Sequence, residues 1–278
     1  MKIIKKKVYN HSKTMKISYF DILKDEWHFL NEIINRVNID FKSKFPIYLE
    51  SIKKSLKQYI DREYESVDTD TLLSTNKMLK DHLEIARVSK DAILSLAECQ
   101  ETSEEKFSEA KDLHIIPFLR SLAFGRYESV KALTAILPRN EALHYAKKIV
   151  DQIISTDVSA KIGDPIVMED IEKYLVGWTE DYDGEIFTAY ILNEKQAGAK
   201  MYKCWASEVL KDVEDKEFLY IVTCNTDIPF FPAKYQNLRL TRTKTLLEGD
   251  PYCDFCFHDT RYAPDTPHPD EKFWEGLE

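Results

Sequence analysis

The chain has 278 residues, 44% of them hydrophobic and 31% charged, an ordinary globular composition with length enough for a real core. Its formal charge of −9, from 39 basic and 48 acidic residues, argues against nucleic acid as a partner, because phosphate binding needs a basic footprint. No apolar run approaches the ~20 residues that span a bilayer, and the opening MKIIKKKVYN is charged without an apolar signal core, so the expected place is the cytoplasm, with no membrane partner.

Taken in order, the chain starts with a basic stretch, Lys2 to Lys16, that reads as a solvated leader. Phe20 to Val37 then carries Phe20, Ile22, Leu23, Trp27, Leu30, Ile33 and Ile34 at helical spacing, with Asp21 as a possible cap. Asp40 to Tyr64 is a second amphipathic segment, delayed or kinked by Pro46. Asp68 to Cys99 reads as one helix or two, and Ser103-Glu104-Glu105 opens another that runs toward Leu137 with a break at Pro117. Pro138 starts a further helix with Leu143, Ala146, Ile149 and Ile153 in one stripe. A single glycine, Gly125, precedes residue 163, which suits long helices.

The composition then changes. Ile162-Gly163-Asp164-Pro165 reads as a turn and the best boundary. Met168 to Val176 reads as a short helix and Glu180 to Gly184 as an acidic turn. Ile186 to Leu192 and Lys200 to Cys204 read as strands joined through Gly198, and Trp205 to Asp212 as a helix. Phe218 to Cys224, apolar and β-branched, reads as a strand, and Asn225 to Pro232 as a loop. Leu238 to His258 reads as strand, turn at Glu248-Gly249-Asp250-Pro251, and strand. The polar, proline-rich end after His258 reads as a tail with no core of its own. The expected architecture is α+β: a helical region over 1–162 packed on a small antiparallel β-sheet in the region 163–258, followed by the tail 259–278.

Five cysteines, an odd number spread along the chain, fit reduced thiols better than a disulfide framework. Cys253 is the first candidate for chemistry, because a thiolate near positive charge or a base is a strong nucleophile, and Arg242, Lys244 and His258 are close in sequence. Most free cysteines are simply small buried hydrophobes, and that reading competes. Asp227, in Cys224-Asn225-Thr226-Asp227, can serve as a general base or as a turn aspartate bonded to its own backbone. Cys253-x-x-Cys256 with His258 and Cys224 is a weak zinc pattern, since Cys253 and Cys256 point to opposite faces of a strand. No metal and no cofactor are therefore expected. The helical histidines His82, His114 and His144 have no metal spacing, Cys99 and Cys204 read as structural, and glycine-rich nucleotide loops, HExxH and GxSxG are missing.

The run Arg242-x-x-Thr245-Leu246-x-x-Gly249-x-x-x-Cys253-Asp254-Phe255, with Cys224-x-x-Asp227 and Cys204 before it, resembles the C-terminal signature of the L-2-amino-thiazoline-4-carboxylic acid hydrolase family, over about residues 200–258. Cys256 stands where the family pattern leads one to expect a basic residue. The resemblance implies hydrolytic opening of a small thiazoline or cyclic amidine-like carboxylate, by addition at the carbon between sulfur and nitrogen. It casts Cys253 as nucleophile or as the thiol nearest the reacting carbon, Asp227 as base or orienting carboxylate, Cys224 as pocket thiol or alternate nucleophile, and Arg242 as carboxylate clamp; His258, close in sequence, is placed with Arg242 in substrate binding. It also implies a looser kinship with small-molecule-binding domains of the vinyl-reductase type. The alternatives are a cysteine-dependent cyclase or acyl-transfer enzyme and a non-enzymatic ligand-binding sensor. The expected partner is a small-molecule substrate, with a homo-oligomer possible.

Overall fold

The computed structural model describes residues 1–6, 13–64, 67, 69–101, 104–159, 163, 165–168, 170–171, 173, 185–262 and 265–277. The chain divides into two compact units, one formed by Thr14–Ile153 and the other by Met1–Lys13 with Ile154–Glu278. One is mainly helical and the other is built on an antiparallel sheet, an α+β fold.

Strand β1, Lys2–Lys6, belongs to the sheet unit. The helical unit opens with β2, Thr14–Ile17, which pairs with β3, Lys111–His114. The basic stretch is thus not a leader: its two ends are strands. Helix α1, Tyr19–Asp40, is capped by Ser18, whose Oγ accepts the N–H of Asp21, so Asp21 lies in the first turn and is not the cap. Helix α2, Phe45–Lys57, takes Pro46 in its first turn, where no intrahelical donor is lost. Three short helices follow where one or two were expected: α3, Asp70–Thr75, α4, Lys77–Asp81, and α5, Leu83–Leu96, broken at Asn76 and His82. Next come α6, Glu104–Ser108, then β3, then α7, Ile115–Lys131, with Pro117 in its first turn, and α8, Arg139–Ser159. Ile22, Leu23, Trp27, Ile33, Ile34 and Val37 of α1 are all buried, and α1, α2, α5 and α7 pack on one another. Inside this bundle Arg126 of α7 pairs with the buried Glu26 of α1 at 2.6 Å.

The sheet unit holds β4, Glu185–Asn193, and β5, Gln196–Cys204, joined by the tight turn at 194–195. Gly198 lies within β5 and is no joint. It is a crossing point: a Cβ there would sit 2.0 Å from the carbonyl oxygen of Phe255 and 2.7 Å from the Tyr190 hydroxyl. Helices α9, Trp205–Val209, and α10, Lys216–Val222, follow. The expected strand at 218–224 is therefore mostly helix. Phe218, Leu219, Ile221 and Val222 are buried at a helical spacing, and their branched side chains suggested a strand only because the window is short. The expected loop at 225–232 is a 3-10 turn, Cys224–Thr226, and helix α11, Asp227–Lys234. The hairpin pairs β6, Leu238–Thr241, with β7, Cys253–Asp259. The last helix is α12, Glu271–Glu275. Of the helix read at 168–176, only part is described, and the acidic turn at 180–184 lies outside the described residues.

The five strands run in the order β1-β4-β5-β7-β6, every neighbouring pair antiparallel. Lysine-rich β1 forms one edge, a composition that discourages pairing with other chains. Alternation along β7 sets up two chemistries. Cys253, Phe255 and Phe257 enter an apolar layer with Phe187, Ala199, Met201, Leu238, Leu240 and Phe231. Asp254, Cys256 and His258 face the other side, where Tyr190, Tyr252, Trp274 and Leu277 pack with Cys256. The end of the chain thus has a core: Trp274 and Leu277 are buried, and the Lys200 ammonium donates to their carbonyls at 2.6 and 3.1 Å.

Candidate active site

The connection from β6 to β7 is held by its own side chains. Asp254 accepts the N–H groups of Thr243 and Lys244, both at 2.8 Å, and the Thr243 hydroxyl at 2.5 Å. These bonds, with one from His268 at 3.0 Å, hold its carboxyl below the usual range even though burial opposes the charge. Thr245 caps the 3-10 turn Leu246–Glu248 by accepting the Glu248 N–H, and Gly249 ends it at φ +99°, which favours glycine. The Leu246 N–H donates to Cys253 Sγ at 3.2 Å. Thr245, Leu246, Gly249, Cys253 and Asp254 of the signature thus each help to hold this connection.

Fixed in this way, Arg242 leaves the end of β6 and its side chain is buried, 1% exposed. One NH2 group donates to Asp227 Oδ2 at 3.2 Å and the other to the Cys224 carbonyl. Its guanidinium carbon stands 4.7 Å from the centre of the Phe255 ring and 5.8 Å from that of Tyr220. Its Nε is buried without a protein partner among the described residues. Burial works against the charge, yet Asp227, Cys224, Tyr220 and Cys253 together hold this guanidinium above its ordinary value.

Four of the five site residues named from the sequence therefore meet: Cys224, Asp227, Arg242 and Cys253. Asp227 opens α11 with its side chain 40% exposed; burial raises its carboxyl and Arg242 pulls the other way. Burial pushes the Cys224 thiol up to about 11 against the pull of Arg242, so it keeps its proton at neutral pH. Cys253 is 4% exposed, facing the Leu246 N–H and in electrostatic reach of Arg242.

His258 does not join them. It is fully buried on the other face of the sheet, its Nε2 2.7 Å from Thr241 Oγ1, and burial, followed by Arg239 and His268, pushes it down to about 4. The zinc pairing of Cys253 with Cys256 fails for the reason expected, since the two thiols line opposite faces. Sequence reasoning missed Tyr220, which holds one side of Arg242, because 218–224 was read as a strand.

The chemical inventory is a permanent cation with one spare buried donor, a partly exposed carboxylate, a protonated thiol and a second thiol with a backbone donor. It suits addition to an electrophilic carbon in a small anionic substrate. Among the described residues no helix is long and apolar enough to cross a membrane.

The family model described as L-2-amino-thiazoline-4-carboxylic acid hydrolase matches residues 120–257. The match begins well upstream of the signature, within α7, and takes in Cys224, Asp227, Arg242 and Cys253, while His258 falls one residue beyond it. No curated protein and no solved structure gave a match. Over residues 120–257 the chain is therefore similar to the L-2-amino-thiazoline-4-carboxylic acid hydrolase family.

Proposed function

We propose that the chain is a cysteine-dependent hydrolase that opens a small thiazoline or cyclic amidine-like carboxylate. The observation that carries this reading is the buried Arg242, with an unpaired Nε, beside Asp227, Cys224 and Cys253. The substrate carboxylate takes the free donor of Arg242, a charge-assisted bond. Cys253, as thiolate, adds to the ring carbon between sulfur and nitrogen. The ring carbon–sulfur bond then breaks, and the departing sulfur takes a proton. Asp227 removes a proton from water, which adds to the same carbon, and the bond to Cys253 breaks. The net change is one water added and one carbon–sulfur bond cleaved, giving a carbamoyl cysteine from an amino-thiazoline carboxylate. Cys224, protonated at neutral pH, supplies a proton-bearing wall and is a poor nucleophile there.

The test is Cys253→Ala assayed on 2-amino-thiazoline-4-carboxylate, with thermal unfolding measured beside it. Turnover is lost and Tm is nearly unchanged if Cys253 is the nucleophile. Full activity in the variant excludes it. Asp227→Asn lowers kcat by about 10²–10⁴-fold, the usual contribution of a positioned base.

A further inference from the structure

The sheet face opposite Arg242 carries a second cluster of reactive groups that the hydrolase reading does not use. Cys256 and His258 come from β7, and His268 comes from the chain end folded back over them. We propose that Cys256, His258 and His268 form a binding site for a borderline-soft divalent cation of the zinc type, which pins the end of the chain to the sheet.

One ligand atom from each residue lies within 4.8 Å of the other two. His258 Nε2 and His268 Nδ1 both aim at Thr241 Oγ1, at 2.7 and 2.8 Å, so the two rings converge on one point. A tetrahedral zinc with bonds of about 2.0–2.1 Å to nitrogen and about 2.3 Å to sulfur places such atoms roughly 3.5 Å apart. The cluster closes to that spacing by movements on the order of 1 Å. The Thr241 hydroxyl or a water completes four-coordination.

His268 has the carboxylate partner that orients a metal ligand. His268 Nε2 lies 3.0 Å from Asp254 Oδ2, and a histidine that donates one ring N–H to a carboxylate presents the other nitrogen's lone pair. The same ring stacks on Trp274 at 5.4 Å between centres. The Trp274 indole N–H lies 3.1 Å from both His268 Nε2 and the Pro269 carbonyl; when it donates to the carbonyl, His268 Nε2 can carry its own proton toward Asp254. His258 Nδ1 faces the Gln196 amide nitrogen at 3.3 Å, a donor, so ligation through Nε2 requires the Nδ1 proton to replace that contact, for instance by a flip of the carboxamide. Cys256 and His258 are both fully buried, unlike the surface histidines that collect stray ions. One thiolate with two imidazoles suits zinc and its neighbours and disfavours magnesium or calcium. This departs from the expectation of no metal. The sequence pattern paired Cys256 with Cys253, whereas the third ligand comes from a segment read as a tail.

The alternative is a metal-free hydrogen-bond chain from His258 through Thr241 to His268, and the experiment separates the two. The full-length protein is stripped with a chelator under reducing conditions and titrated with Co²⁺. The proposal predicts one equivalent bound, with four-coordinate ligand-field bands, a thiolate-to-cobalt charge-transfer band, displacement by Zn²⁺ and a Tm raised by either metal. Cys256→Ser removes the charge-transfer band. His268→Gln, at a partly exposed position on the chain end, abolishes one-equivalent binding. Asp254→Asn weakens binding about 10–100-fold, the usual effect of losing a ligand's carboxylate partner. Cys224→Ser and Cys253→Ser keep the bands. Folded protein that shows no cobalt bands and no metal-dependent Tm overturns the proposal, as do bands that persist in both Cys256→Ser and His268→Gln.

Discussion

Replacing Arg242 by methionine tests the site through its most buried charge. Methionine keeps length and packing against Phe255 and Tyr220 while deleting the cation. Two effects follow. The Cys224 carbonyl loses its guanidinium donor, and Asp227 loses its partner. The Asp227 side chain is 40% exposed and regains water, so its share of the loss is small; the stability cost is about 1–3 kcal/mol, mostly from the carbonyl left without its donor. For catalysis, the lost substrate contact is a hydrogen bond to a charged group, worth about 1.5–3 kcal/mol. At about 1.4 kcal/mol per tenfold, kcat/KM falls roughly 10- to 150-fold. The assay compares 2-amino-thiazoline-4-carboxylate with its uncharged carboxamide. The variant loses the carboxylate substrate selectively and treats the amide much as the parent does. Because Arg242 opposes the upward push of burial on Asp227, its removal also moves the acid limb of the pH–rate profile to higher pH. Equal losses on both substrates, with the acid limb unmoved, would refute the clamp.

Two further outcomes test the structure around the site. Gly198→Ala drives a Cβ to 2.0 Å from the Phe255 carbonyl, so β5 and β7 must separate; urea unfolding shows a loss of at least about 3 kcal/mol, and a midpoint within error of the parent contradicts the register. Glu26, buried in the helical unit, is raised from 4.5 to about 7, chiefly by burial and against the pull of Arg126. Its folded form therefore holds a proton that the unfolded chain releases above about pH 4.5. The stability this confers is full below that pH and is lost as pH rises through about 7, by up to roughly 3 kcal/mol. Denaturant midpoints across that window show the slope in the parent and lose most of it in Glu26→Gln; a parent curve that is flat from pH 4.5 to 7 contradicts this.

What could be read ahead of the structure was the part encoded in local backbone demands. Gly249 needs a positive φ, Thr245 caps the next turn, and Asp254 ties down the two N–H groups before it, so the signature around Arg242 and Cys253 was legible as a unit. Long amphipathic stretches such as α1 were legible for a similar reason, since their period repeats over several turns. Short apolar windows were not. Residues 218–222 pack as a helix although branched and aromatic side chains also suit a strand, and Lys2–Lys6 forms an edge strand only because β4 is there to pair with it. His268 was invisible as a neighbour of Cys256 and His258, because its place depends on Trp274 and Leu277 packing with Tyr190 and Cys256, a contact between segments distant in sequence. His258 itself was grouped with Arg242 by closeness in sequence, and the period of two in β7 sends it to the opposite face.

The central claim is that Cys253 and Arg242 meet one small carboxylate. The most direct measurement is the rate of iodoacetamide modification at each cysteine, mapped by peptide mass spectrometry at neutral pH. It is run with and without 2-aminothiazole-4-carboxylate, an aromatic analogue that resists ring opening. The account predicts that Cys253 reacts faster than the structural Cys99, that the analogue slows it, and that this protection is lost in Arg242→Met. Cys253 reacting no faster than Cys99, or unaffected by the analogue in the parent protein, would contradict it.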